Sequence, residues 1–354
     1  MKKKSYNERF NVLKTYSGYY QSREKLLESA SGGAASALSE GFIKNGGIVF
    51  GVRYSDDFKR AEYCCITDIA ELSLLKGSKY ASSDKYVQYQ DRKVLVHALA
   101  GEFLEQGRAV LFFGLGCDIG ALKCYLGNRQ IDDTKLFTVD LICHGPTYPE
   151  VHTAFVERLE KKYRSKITYF SVRYKKKGWV PPWLRAEFEN GEVFEQLFYA
   201  TDYGFAFQNY VRSACLDCKF KGKNHLADLT IGDHWGLDKS MEGYNADGVS
   251  IIFTRTEKGE ELINTLEQEE YQLREADTRQ ALLGNCMFYK NRIADEKFDR
   301  ERFKKDFEKR GLHSAVMKQR GRWKMLRKRC RKVAGRLLPK PVKRVIKKLL
   351  RMKR

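Results

Sequence analysis

The chain has 354 residues, and an apolar share of 42% is ample for a packed core, which excludes a disordered polymer and suits two modest domains or one large one with appendages. No run of about 18 apolar residues occurs, so no membrane-spanning helix is expected. The polar start MKKKSYNERF lacks the apolar segment of a secretory signal, so a reducing cytoplasm is expected, where clustered cysteines more often bind metal or do redox work than form disulfides. The formal net charge of +21 suggests nucleic acid until it is mapped: residues 301–354 hold 23 Lys/Arg against 3 Asp/Glu, while the first 300 hold 43 against 42.

Alternating helical and strand patterns mark an α/β protein. Ala34–Lys44 reads as a helix, ended by Asn45-Gly46-Gly47 ahead of a strand at Ile48–Val52, and Ala61–Thr67 reads as a second strand. Asp84–Leu104 carries helical spacing through Val87, Val94, Leu95, Leu99 and Leu104, and Gln106-Gly107 stops that helix before the strand Ala109–Phe113. A helix is predicted at Cys117–Leu126, a strongly apolar strand at Leu136–Cys143 and a helix at Tyr148–Lys162. Strands follow at Ile167–Tyr174, Leu184–Phe188 and Val193–Leu197, the last two joined by the hairpin signal Asn190-Gly191. Strands at Ala227–Gly232 and Val249–Thr254 and a helix at Lys258–Gln268 complete the pattern.

Three constellations carry chemistry. Cys215 and Cys218 form a C-x-x-C, while Cys117 in FFGLGCDIG and Cys143 in VDLICHG each lie just beyond an apolar strand, where ligands gather in α/β sheets. The four thiols suit one tetrahedral or cubane site. Zinc sites usually draw on two local knuckles and only one is present, so an iron-sulfur cluster fits at least as well, with a redox pair the third reading. Cys64, Cys65, Cys124, Cys286 and Cys330 read as packing residues. The second constellation is ESASGGAASALSEG, in which Ser31, Gly32 and Gly33 precede a helix whose free N–H groups suit a phosphate; the plainer reading is a helix cap with close packing. It is neither a dinucleotide fingerprint nor a Walker loop. The third, LLKGSKYASSDKY, offers Gly77, Ser78, Lys79 and Tyr80 as anion and ring contacts, against the plainer reading of a surface loop.

These pieces in this order resemble the coenzyme F420 hydrogenase/dehydrogenase beta-subunit family of iron-sulfur flavoproteins, through SGGAASAL, GSKYASS, VLFFGLGCDIGALK, DLICHG, VRYKKKGW, RSACLDCKF, ADLTIGDHWG and DGVSIIFTRTEKG. The resemblance implies a lead at 1–28, a small flavin-binding α/β segment at 29–104, a larger mixed-sheet α/β domain with the cysteine cluster at 105–275, and a connector at 276–300. It implies an oxidoreductase holding FAD and a 4Fe-4S cluster, with Cys117, Cys143, Cys215 and Cys218 as cluster ligands. Ser31, Gly32, Gly33, Gly77, Ser78, Lys79 and Tyr80 become the FAD contacts, and Lys79 a cation for reduced flavin. Asp140, His144, Asp233 and Trp235, beside the ligands in sequence, are candidate catalytic or supporting groups. Where the family usually has Pro-Cys-Gln, this chain has Gly116-Cys117-Asp118, which is expected to loosen the turn and add negative charge near the cluster. The N-terminal ferredoxin domain of many bacterial members is not expected, since no cysteine precedes Cys64, so a separate ferredoxin-like or other redox partner is implied. The electron acceptor or donor is a small molecule, of deazaflavin type or other, and some bacterial members sit among surface-polysaccharide genes. The alternative is a zinc-stabilised, non-catalytic binding module with a basic tail contacting nucleic acid or an acidic partner.

Residues 311–354 contain 18 Lys/Arg and no acidic residue. Trp323, Leu326, Cys330, Val333 and Leu337 fall at helical spacing, Pro339 and Pro341 interrupt, and Val342, Val345, Ile346 and Leu349 resume the stripe. A basic amphipathic tail of this kind suits an anionic membrane surface. Nucleic acid, the competing partner, has no use for an apolar stripe.

Overall fold

The computed structural model describes residues 5–337, with side chains as far as Gly321. Two units make up the chain, Met1–Ile293 and Ala294–Arg354.

The first unit is a mixed α/β fold. Its strands in chain order are β1 (Thr15–Tyr20), β2 (Ile48–Tyr54), β3 (Ala61–Ile66), β4 (Tyr86–Tyr89), β5 (Arg92–Leu95), β6 (Val110–Gly114), β7 (Leu136–Leu141), β8 (Ile167–Tyr174), β9 (Trp183–Phe188), β10 (Val193–Leu197), β11 (Leu229–Asp233), β12 (Ser250–Thr254) and β13 (Tyr271–Glu275). Eight form one sheet in the order β13-β1-β12-β11-β7-β6-β2-β3. At its centre β11, β7, β6 and β2 run parallel. Antiparallel β3 closes one side and antiparallel β12, β1 and β13 the other.

Parallel strands covered on both faces must be apolar on both, and β6 is buried at every position. Side chains alternate between two cores. Val49 and Leu111 join Leu38, Val139 and Ile252 under the helices Ala34–Lys44 and Glu257–Asn264. Phe50 and Phe112 join Leu99, Ile119 and Leu122 under the helices Val96–Glu105 and Gly116–Arg129.

One sequence expectation is corrected here. The stretch Asp84–Leu104 is not a single helix: β4 and β5 form a hairpin turning at Gln90 (φ 52°), and the helix starts at Val96. Val87 and Val94, seven residues apart, pair directly across that hairpin, so their spacing reflects strand register and not two helical turns. Strands β1 and β13, which the hydrophobic pattern does not mark, lie side by side. Strands β8, β9 and β10 form a separate antiparallel sheet, with Gly191 (φ 83°) in the β9–β10 turn as its Asn-Gly pair predicts.

In the second unit the helix Arg300–Leu337 breaks at Gly311 (φ 77°, ψ 168°). The chain folds back there, so that Lys318 pairs with Asp306 and Gln319 donates to the Asp299 carbonyl at 2.9 Å. The side chains of the stripe Trp323, Leu326, Cys330, Val333 and Leu337, and all of Pro339 to Leu349, lie outside the described residues. No helix among the described residues is long and apolar enough to cross a membrane.

Candidate functional site

The parallel centre of the sheet places the carboxyl ends of β6, β7 and β11 next to one another. Cys117 follows β6, Cys143 follows β7 and Asp233 ends β11. Crevices at such strand ends are where α/β sheets hold ligands.

Cys117 occupies the first turn of the helix Gly116–Arg129. The Leu115 N–H donates to the Asp118 carboxylate (3.0 Å), which also accepts from the Tyr63 hydroxyl (3.2 Å) and pairs with Lys85 (2.8 Å). Asp118 therefore fastens the turn that its sequence suggests is loose, and a lysine offsets its charge. Cys143 accepts a bond from the Gly145 N–H at 3.2 Å. Gly145, at φ 86°, lies against Cys215: a Cβ there would stand 2.9 Å from the Cys215 Cβ, so only glycine lets the two segments meet. Thr147 completes the clamp by donating to the Tyr210 carbonyl at 2.6 Å. The C-x-x-C loop is seated from the other side by Phe220, whose atoms lie 2.8 and 2.5 Å from where Cβ atoms on Gly116 and Gly120 would be.

The result is one cleft lined by Cys117, Cys143, Cys215 and Cys218, with about 470 Å³ of atom-free space, part of it open to solvent. Three cations, Arg212, Lys221 and Arg292, share the lining, and among the described residues no carboxylate does. Lys221 donates to the Cys143 and Met287 carbonyls, and Arg292 to those of His144 and Gln208. Arg212 aims at sulfur, its Nη2 3.8 Å from the Cys117 Sγ. Burial pushes the Cys143 thiol up to about 12; it also raises Cys117, with the Asp118 charge adding to the rise and Arg212 opposing it. Thiols of this kind are protonated until a metal displaces the proton. Among the described residues no three His, Cys, Asp or Glu side chains converge on a single-ion position. A soft all-thiolate set of four suits an iron-sulfur cluster at least as well as one zinc ion.

His225, which the sequence pattern does not single out, also lines the cleft. Its Nδ1 lies 2.6 Å from the Asp140 carboxyl and its Nε2 3.1 Å from the Phe288 carbonyl. A carbonyl only accepts, so Nε2 carries a proton and Asp140 faces Nδ1. Asp140 is wholly buried and lies against His225 beneath the cleft. His144 lines the cleft and is exposed.

The other expected contacts gather around β8. Ser31 donates to the Val249 carbonyl (2.8 Å), and its own carbonyl accepts from Lys175 (2.6 Å). Lys175 is buried; burial and the neighbouring Arg173 charge push its ammonium down to about 7. Gly32 is a close-approach glycine: a Cβ there would fall 2.1 Å from the Gly18 carbonyl and 2.4 Å from the Ser250 nitrogen. Gly33 (φ 92°) caps the helix with its backbone alone, and the Ala34 N–H leans on the Ser250 hydroxyl at 3.4 Å. Packing thus accounts for both glycines. Gly77 (φ 79°) has open space beside it and Ser78 is half-buried. Lys79 donates to the carbonyls of Leu74, Leu75 and Lys76 at 3.4, 3.0 and 2.7 Å, so all three of its protons are engaged in holding this turn. Tyr80 stacks on Phe207 (4.3 Å, 12°) with its phenol beside Arg173.

Arg173 binds Asp233 with two bonds of 2.7 and 3.0 Å, and the Trp179 indole donates to the same carboxylate at 3.1 Å. Trp179 and Trp235 stack at 4.9 Å and 8°. The Arg173 Nε is buried and has no hydrogen-bond partner among the described residues. Ser31 and Tyr80, far apart in sequence, therefore meet the same short stretch of chain, Arg173 to Lys175. Its segment VRYKKKGW, basic and aromatic at once, was the available signal for it. Arg173 and Asp233 also act electrostatically on His144, which lines the cysteine cleft.

The mixed α/β fold is shared with a chain of the F420-reducing [NiFe] hydrogenase complex from Methanosarcina barkeri: TM-score 0.52, 18% identity, covering 81% of this chain and 93% of that one. At that identity the likeness is one of fold. No curated protein sequence matches. Residues 107–279 match the family profile for the C terminus of the coenzyme F420 hydrogenase/dehydrogenase beta subunit. That match and the shared fold support the coenzyme F420 hydrogenase/dehydrogenase beta-subunit family for this chain.

Proposed function

We propose that this protein is an FAD- and 4Fe-4S-dependent oxidoreductase. The observation that carries the reading is the single cleft lined by Cys117, Cys143, Cys215 and Cys218 with three cations and, among the described residues, no carboxylate. Four thiolates on iron concentrate negative charge, and a cationic lining is what such a centre needs. Held there by the four cysteines, a cluster would supply single-electron transfer and a neighbouring flavin hydride exchange.

The chain's own residues divide the remaining work. Ser31, Gly77, Ser78, Tyr80, Arg173 and Lys175 would contact FAD, with the buried Nε of Arg173 left for an acceptor. Gly32 and Gly33 let the helix Ala34–Lys44 dock on β1 and β12, and Lys79 holds the turn, so Lys175 replaces it as the cation near the flavin. His144, in the lining of the cysteine cleft, and Asp233, bound by Arg173, would serve as substrate-edge groups, and Asp140 would act through His225. Electrons would come from a ferredoxin-like or other redox protein and pass to a small molecule, a deazaflavin or another carrier. A link to surface-polysaccharide metabolism rests on resemblance alone. The basic tail would hold the enzyme to the inner face of an anionic membrane.

Anaerobic purification followed by iron, sulfide, zinc and flavin analysis tests the reading. The expected preparation is brown and carries both iron and FAD, and Cys215→Ala loses the iron. A colourless protein with one zinc per chain would falsify the proposal and favour a zinc-stabilised binding module.

A further inference from the structure

We propose that Arg212 is a positioning residue for the centre held by the four cysteines: its guanidinium bonds the Cys117 sulfur across the cleft and raises that centre's reduction potential. The inference rests on the iron-sulfur reading above and assigns a role that sequence did not suggest.

Arg212 is tied to the site twice. Its carbonyl accepts from the Cys215 N–H at 3.0 Å, closing the short turn Ser213–Cys215 that carries a thiol. Its side chain crosses the cleft to Cys117, and its charge acts on both Cys117 and Cys215. The other two cations of the lining spend N–H groups on backbone carbonyls, whereas Arg212 directs its own at sulfur. Among the described residues it has no carboxylate partner, and its Nε is buried without an acceptor. A half-buried guanidinium left unpaired is unfavourable unless negative charge arrives beside it. Thiolates on a metal centre supply that charge.

The direction of the effect follows. Reduction adds one electron and changes no bond at Arg212, so the more negative state gains more from the adjacent positive charge and from N–H donation to sulfur. Removing the charge must then disfavour reduction. Lysine keeps the charge but lacks the planar fork that aims an N–H at the Cys117 sulfur, so it should recover part of the effect.

The test is an anaerobic dithionite titration of the as-isolated protein, followed by electron paramagnetic resonance, on wild type, Arg212→Gln and Arg212→Lys, with iron measured on each. The expected order of potentials is wild type, then Lys, then Gln, with the glutamine variant at least tenfold less readily reduced, a drop of about 59 mV for one electron. Should the glutamine variant fail to assemble, the lysine variant must still lie below wild type. Equal potentials in iron-bearing variants overturn the role of Arg212 and leave the cluster reading standing. Wild type without iron overturns both.

Discussion

His152 lies between the rings of Tyr54 and Phe170 with its Nε2 donating to the Phe58 carbonyl at 2.8 Å, and burial pushes its imidazole down to about 4. His234, buried against the Ser17 hydroxyl, is pushed down to about 4 for the same reason. Both rings fold neutral, while the unfolded chain takes up those protons near pH 6.5. Their stabilising contribution is therefore complete above about pH 6.5 and is lost as the pH falls towards 4. Each ring adds about 1.4 kcal/mol per pH unit to that slope. Urea unfolding between pH 6 and 4.5 should give His152→Gln a slope smaller than wild type by about one proton, and parallel slopes would refute the assignment. At this scale the cysteines were readable because C-x-x-C and strand-end positions are local signals. Arg173, Lys175, Arg212 and His225 were not, because their partners, Asp233, the Ser31 carbonyl, Cys117 and Asp140, are brought to them only by folding.

Gly116 and Gly120 lie one helical turn apart and form the groove that receives Phe220. Gly120→Val pushes on that ring, and with it on the loop that carries Cys215 and Cys218. Overpacking of this kind costs about 1–3 kcal/mol, and retained iron should fall more than tenfold. Gly127→Ala is the control on the same helix: a Cβ there meets nothing, and the change should stabilise by about 0.5–1 kcal/mol with iron unchanged. Equal iron in both variants would remove Phe220 as the seat of the loop. Most of the helices and strands around the parallel centre could be read from periodicity, since long apolar patterns with Gly or Asn stops are unambiguous. The hairpin β4–β5 could not, because a seven-residue recurrence fits both a paired register and two helical turns. Strand β1, TYSGYY, was hidden by an interior glycine whose reason lies 254 residues away: a Cβ on Gly18 would fall 2.6 Å from the Gln272 carbonyl.

The whole molecule separates charge from chemistry. The first 300 residues are near neutral and carry the thiol cleft, and the last 54 carry the positive excess. Sedimentation with vesicles rich in phosphatidylserine should therefore depend on residues 301–354 and weaken steeply with salt, whereas a variant ending at residue 300 stays in the supernatant with iron and flavin intact. Binding that survives the truncation would assign attachment to the body. The order of the large sheet bears on biogenesis as well. Strand β1 leaves the ribosome first yet is flanked by β12 and β13, the last strands made. A nascent chain that stops short of β13 thus leaves one edge of β1 unpaired, and one that stops short of β12 leaves both edges of β1 and one of β11 unpaired. The sheet closes only after residue 275 has been made, which gives chaperones a long interval in which to hold the chain and makes truncations before β13 prone to aggregate.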